Sequence, residues 1–185
     1  MLPKGLVIPT FGQRQTLLLA FHFLRPQARR TIHAPDRYRA MLAKLYAAIA
    51  AEVIFAAPQE SAAAESTVES TLGDGGVGEI RVHAVGGRPA VELEQMLSDL
   101  VNRGAQHVSL SVPLYDPGTP GLAEAARKTG FFFSGLGPAF VDGGDALLMQ
   151  WLGTPLDAGK LQIYADQARE LVSFIEADRA TTGRR

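Results

Sequence analysis

The chain contains no cysteine, which removes disulfides, thiolate metal sites and cysteine nucleophiles from consideration. It also lacks any apolar run approaching the roughly 18 residues that a membrane-spanning helix needs. The longest such stretch, Leu17 to Leu24, is interrupted by His22 and closed by Arg25 and Pro26. Near the start, Lys4 is followed by Gly5-Leu6-Val7-Ile8 and then Pro9, too short a segment for the apolar part of a signal peptide. The expectation is a cytoplasmic protein with no membrane partner. Neither sign of charge prevails: 18 Lys and Arg stand against 19 Asp and Glu. That balance argues against a dedicated nucleic-acid binder.

The charge is unevenly distributed all the same. Lys4, Arg14, Arg25, Arg29, Arg30, Arg37, Arg39 and Lys44 fall within residues 1–50 beside a single acid, Asp36, whereas residues 51–100 are predominantly acidic. A basic half of this kind suits either a surface for phosphates or an acidic partner. It equally suits two faces of one fold that neutralise each other, since charge runs usually coat surfaces.

With 46% hydrophobic and 20% charged residues over 185 positions, the chain can build one packed domain. Residues 1–15 read as an irregular arm, 16–180 as the domain and 181–185 as a disordered tail. Gln15 to Leu24 is a strand candidate, continuous in apolar residues. Arg30-Thr31-Ile32-His33 suggests a short strand. Pro35 and Asp36 then open a helix, because proline is preset for the first turn and a carboxylate suits its positive end. Tyr38, Met41, Leu42, Leu45, Tyr46 and Ile49 supply its apolar stripe. Val53-Ile54-Phe55 is a short strand. Residues 58–78 form the least structured stretch, with at most a weak strand near Ser66 to Thr71.

Glu79 to Val85 alternates, with Ile80, Val82 and Ala84 on one side and Arg81 and His83 on the other, as in a half-buried strand. Ala90 to Arg103 is helical and Gly104 stops it. His107 to Leu114 is a strand, and Gly121 to Thr129 a short helix ended by Gly130. Phe131 to Leu136 and Ala146 to Leu152 form an antiparallel hairpin around Gly137-Pro138 and Asp142-Gly143-Gly144. Ala158 to about Arg179 is a final helix whose stripe includes Leu161, Tyr164, Ala168, Leu171, Val172 and Ile175. The class is therefore α/β, with a twisted mixed sheet, helices on both faces, and parallel pairing of 79–85 with 107–114 through a crossover helix.

From strand 79–85 to the closing hairpin, this order resembles the acyl-CoA-binding half of the GNAT acyltransferases. Ala123-Glu124-Ala125-Ala126-Arg127-Lys128-Thr129-Gly130-Phe131 is similar to that family's helix running into a Gly-Phe strand start. Phe131 to Pro138 and Asp145 to Gln150 resemble GNAT-like segments found beside other domains in bacterial regulatory proteins, some of which follow a histidine-kinase-type ATP-binding module. Ile32 to Tyr46 is similar to a segment upstream in those proteins. The resemblance implies acetyl-CoA as cofactor, with Val82 and Ala84 meeting the pantetheine arm. It implies the pyrophosphate on Gly86, Gly87 and Arg88, where free N–H groups and a helix start suit an anion. In place of the family's tyrosine, the proton donor to the departing thiolate, this chain has Ala126; Tyr115 is the candidate substitute. Glu79 opens the strand from which such enzymes often recruit a base. Pro89 removes one N–H from the loop, and the family's Gln/Arg-led glycine pattern is not reproduced.

Other signals have simple structural readings. Gly73-Asp74-Gly75-Gly76-Val77-Gly78 matches a dinucleotide motif in letters, but a strand follows it where a helix is required, so it reads as a turn. His22, His33, His83 and His107 lie at no metal-ligand spacing, and no metal is expected. Ser109 and Ser111 lie within a strand rather than on a nucleophile elbow. Asp142 and Asp145 flank glycines as turn residues do. Two functions therefore stand open: an acyl-CoA-dependent N-acyltransferase with a degenerate cofactor site, and a non-catalytic GNAT-like domain that binds a partner protein or senses a ligand. The apolar closing hairpin and helix add the expectation of a homodimer or of docking onto another domain.

Overall fold

The computed structural model describes residues 19–183, apart from 26, 58, 60–64, 88 and 155. Its elements run β1 (Arg30–Ile32), α1 (Asp36–Ala48), β2 (Val53–Phe55), β3 (Thr67–Gly73), β4 (Val77–Ala84), α2 (Pro89–Asn102), β5 (His107–Pro113), α3 (Thr119–Lys128), β6 (Phe132–Val141), β7 (Gly144–Leu152) and α4 (Asp166–Ala180). The five strands of the main sheet lie in the order β3-β4-β5-β7-β6, and β1 and β2 form a separate parallel pair. In the main sheet β4 and β5 are parallel and the other neighbours antiparallel. The parallel pairing and the mixed sheet follow the sequence reading.

Alternation decides which face is buried. Ile80 and Val82 of β4, Leu110 and Val112 of β5, and Leu147 and Met149 of β7 are 0–1% exposed. The crossovers β4-α2-β5 and β5-α3-β6 advance across the sheet in the same direction. Since both are right-handed by rule, they put α2 and α3 on one side. Leu100 of α2 stands over Gly78 beside Val108. Tyr38 of α1 packs on Phe133 of β6, on that same side, their rings 5.0 Å apart. The expected helices on both faces are thus not seen among the described residues; α1, α2 and α3 share a face. The α4 helix runs along the β6 edge, where Phe174 meets Phe133 edge to face and Asp178 accepts the Phe133 N–H at 2.8 Å. An edge strand is thereby covered within the chain.

The apolar hairpin is consumed in the same way. Phe131, Phe133, Leu147 and Met149 are all fully buried, each contributing about 1.5–3 kcal/mol by leaving water. Their abundance is therefore accounted for within the chain, and it no longer argues for a second copy.

Several local expectations are corrected. The residues Leu19 to Leu24 form no strand; Phe21 instead meets Phe140 edge to face. The earlier part of that segment, and the 1–15 arm, lie outside the described residues. The stretch read as weakly structured holds a full strand, β3, joined to β4 through Asp74-Gly75-Gly76 with φ of 74° and 72° at the glycines. The hairpin strands are longer than expected, because Gly137-Pro138 is not a turn but part of an irregularity inside β6. The last helix starts at Asp166, not Ala158, because Ala165 is extended at φ −81°, ψ 136°; Ala158–Lys160 form only a 3-10 turn, and Tyr164 is exposed. Thr181 to Gly183, read as the start of a disordered tail, are held in place. Thr182 is buried and donates to Arg179 O, and the Gly183 N–H reaches Arg127 O at 3.3 Å.

Two buried polar clusters tie the layers. Asp178 accepts the Tyr38 hydroxyl at 2.8 Å and pairs with Arg127, joining α1, α3 and α4. Burial, with Asp178 beside it, holds the Tyr38 phenol well above its ordinary range. Asp145, read from the sequence as a turn residue, is 4% exposed. It accepts the Tyr46 hydroxyl at 3.0 Å and pairs with Arg30. Burial, then Asp145, likewise raises the Tyr46 phenol. Arg37, Arg39 and Lys44 meet Glu124, Asp36 and Glu170. With Arg30 on Asp145, much of the described basic half is neutralised inside the fold.

Candidate functional site at the fork between β4 and β5

Pairing between β4 and β5 runs from Val77↔His107 to Arg81↔Ser111 and stops there. Yet β4 continues to Ala84 alongside β3, and β5 to Pro113 alongside β7. The two parallel strands therefore part, leaving backbone groups on their inner edges in need of partners. Pro113 has no N–H to offer across the gap.

The chain's own side chains meet that need. Val85 N–H donates to Asp116 Oδ2 at 2.8 Å. Asp116 is 8% exposed, and its other oxygen accepts the Gly118 N–H at 2.7 Å, an Asx turn that leads into α3. The Tyr115 hydroxyl donates to His83 O at 3.0 Å. Ser66 donates to Gly86 O at 2.5 Å and accepts the Gly86 N–H at 3.2 Å. The Tyr115 ring lies over Gly144, where a Cβ would stand 2.5 Å from Cδ1.

At the mouth of the fork lies a titratable cluster. Val141 and Gly144 pair across a two-residue turn, Asp142-Gly143, with φ of 47° and 74°, the conformation favoured in tight hairpins. The turn presents Asp142 Oδ2 to His83 Nδ1 at 2.8 Å and to the Tyr115 hydroxyl at 3.4 Å. On the other side, Glu69 Oε2 of β3 lies 3.5 Å from His83 Nε2. The Asp142 hydrogen bond, chief among the influences on it, raises the His83 pKa above its ordinary 6.5. The same bond lowers the Asp142 carboxyl below its ordinary range. Burial, then Asp142, raises the Tyr115 phenol.

Of the residues singled out from sequence, the structure brings Tyr115, Ala84 and Gly86 to the fork. Ala84 ends β4 opposite Thr67. Gly87 follows in the turn to α2 with φ 60°, and Arg88 lies outside the described residues. The Val82 side chain is a core group, 1% exposed. Glu79 is not part of this cluster. It pairs with Arg81 at 2.7 Å and stands four residues before His83, about 13 Å along a strand. Ala126 is fully buried on α3. Asp116 was missed as a site group, and so was Asp142, read from the sequence only as a turn residue, as the partner of His83. The signal for Asp116 was present: Asp-Pro-Gly between a strand and a helix marks a turn whose carboxylate caps backbone N–H groups. No group of three or more His, Asp or Glu that could hold a metal occurs among the described residues. His83 and Asp142 together can hold or pass a proton. No family model, curated protein or solved structure matches the chain.

Proposed function

We propose that this chain is a GNAT-like domain that works as a regulatory, ligand-sensing or protein-interaction module and does not turn over acetyl-CoA. The observation that carries the proposal is the occupied fork. A pantetheine arm needs free backbone groups between the parted strands. Here the Val85 N–H and the His83 carbonyl are already bonded to Asp116 and Tyr115. Each such bond is worth about 0.5–1.5 kcal/mol net, and a buried group left unpaired costs about 1–3 kcal/mol. An incoming cofactor must therefore replace what it displaces. Ala126 adds to the argument, since it has no proton to give. The test is a thermal shift with acetyl-CoA run beside a thiol-release assay over a panel of amines. The proposal expects neither stabilisation nor free thiol.

One observation favours the other reading, an acyl-CoA-dependent N-acyltransferase. The His83–Asp142 pair and the Tyr115 hydroxyl sit together at the mouth of the fork. In that reading His83 takes the amine proton, Tyr115 serves the leaving thiolate, and Gly86, Gly87 and Arg88 hold the pyrophosphate. Thiol release that is lost in Tyr115→Phe while acetyl-CoA binding survives would establish it. A homodimer, or docking onto another domain, belongs to the first reading; light scattering over a concentration series reads it.

A further inference from the structure

Both ring nitrogens of His83 face carboxylates, and the two carboxylates come from different parts of the sheet. Asp142 belongs to the β6–β7 turn, and its Oδ2 lies 2.8 Å from Nδ1. Glu69 belongs to β3, the edge strand, and its Oε2 lies 3.5 Å from Nε2. That nitrogen is shielded from solvent, and Glu69 is the acceptor it faces. A neutral imidazole carries one N–H and can serve one carboxylate; an imidazolium carries two and serves both. The arrangement therefore has its full set of interactions in the charged form alone. The remaining groups around it are Tyr115, which touches Asp142, Arg81 of β4, which acts on Asp142 through space, and Asp116 beside Tyr115.

We propose that His83 is a protonation-dependent clasp: when charged it ties β3 and the β6–β7 turn together across the open end of the fork, and when neutral it keeps its one N–H for Asp142 and releases Glu69. The inference deepens the regulatory reading and rests on it for its biological use, but not for its test. Asp142 is held below its ordinary range and stays ionised, so the imidazole carries the charge that changes. Asp142 is also the link to Tyr115, whose hydroxyl holds the His83 carbonyl. Loss of the imidazolium thus removes the Glu69 arm and reduces the Asp142 arm from an ion pair to a neutral hydrogen bond.

The sign of the pH dependence follows from the two shifts. His83 is raised above 6.5, so its contribution is complete below that value and is lost as pH climbs through the raised one. Asp142 is lowered below 3.8, so its contribution is present above that value and is lost as pH falls through the lowered one. The clasp is therefore closed on the acid side of the raised His83 pKa and opens in the alkaline direction.

The test is NMR on the intact chain between roughly pH 5 and pH 9, following the His83 imidazole and the amide exchange of Val141, Gly144 and the β3 residues paired with β4, after correction for intrinsic exchange. The clasp requires exchange at those amides to rise several-fold as His83 loses its proton. His83→Gln, uncharged at every pH, should sit at the fast rate throughout and match the wild type only on the alkaline side. Glu69→Gln, at an exposed position, should lower the His83 pKa and reduce the protection below it; it carries the same reading should His83→Gln fail to fold. Exchange that is flat across the His83 titration, or that keeps its pH dependence in His83→Gln, overturns the clasp. Neither readout involves acetyl-CoA, so the clasp and the proposed function stand or fall separately.

Discussion

Asp116 Oδ2 accepts the Val85 N–H at 2.8 Å from the opposite arm of the fork, 31 residues along the chain. That bond, together with the Tyr115 hydroxyl on the His83 carbonyl, spans the parted ends of β4 and β5. Asp116→Ala leaves the Val85 and Gly118 donors without their acceptor, and such losses cost about 1–3 kcal/mol each when buried. Asp116→Asn keeps an acceptor oxygen and should cost less. Urea denaturation midpoints at constant slope rank the two variants, and the Val85 amide should exchange faster in the alanine variant.

Tyr115 is seated where it is because position 144 has no Cβ. An alanine there would stand 2.5 Å from Tyr115 Cδ1 and 2.7 Å from Cε1. Gly144→Ala should therefore destabilise by about 1–3 kcal/mol, the usual range for overpacking. Most of that loss should vanish in a Tyr115→Ala background and persist in Tyr115→Phe, which keeps the ring. A double-mutant cycle measures the difference, and additive effects would place the ring elsewhere.

The legible part of the fold is the part where period and punctuation agree. From β4 to β5 the residues alternate, then recur at helical spacing, then alternate again, and Gly104 stops the helix with φ 101°. Gly130 ends α3 in the same way, at φ 97°. The misread parts are those where a local signal has two uses. Gly137-Pro138 has the letters of a turn, but the strand absorbs it as an irregularity, with Ala139 at φ 55°. Leu161 and Tyr164 fit a helical period, but the helix starts only after the extended Ala165. The site was barely legible for a different reason. His83 and Asp142 lie 59 positions apart, and Tyr115 and Asp142 lie 27 apart. Each alone has an ordinary surface role, and only the closing hairpin makes them neighbours.

The Asp178 cluster offers a test of what joins the helices to one another. Its carboxylate takes Arg127, the Tyr38 hydroxyl and the Phe133 N–H. Asp178→Ala takes its buried partner from Arg127, whose side chain is 7% exposed, and leaves it Glu124 at 3.8 Å; breaking a buried pair costs about 3–5 kcal/mol. Replacing both partners, with Arg127→Met and Asp178→Leu together, should recover a good part of that loss, because no unpaired charge remains. Thermal and urea unfolding of the single and double variants decide it. A double variant no better than Asp178→Ala would mean that the Tyr38 and Phe133 bonds carry the weight.

The occupied fork is tested most directly by titrating acetyl-CoA into the isotopically labelled chain while following the Val85 and Gly86 amide resonances. The account predicts that both stay in place at millimolar ligand, with an unchanged melting temperature. Saturable shifts at those two amides, with a stabilisation that grows with ligand and reaches about 2.7 kcal/mol at a hundredfold excess over the Kd, would show that the cofactor displaces Tyr115 and Asp116, and would contradict it.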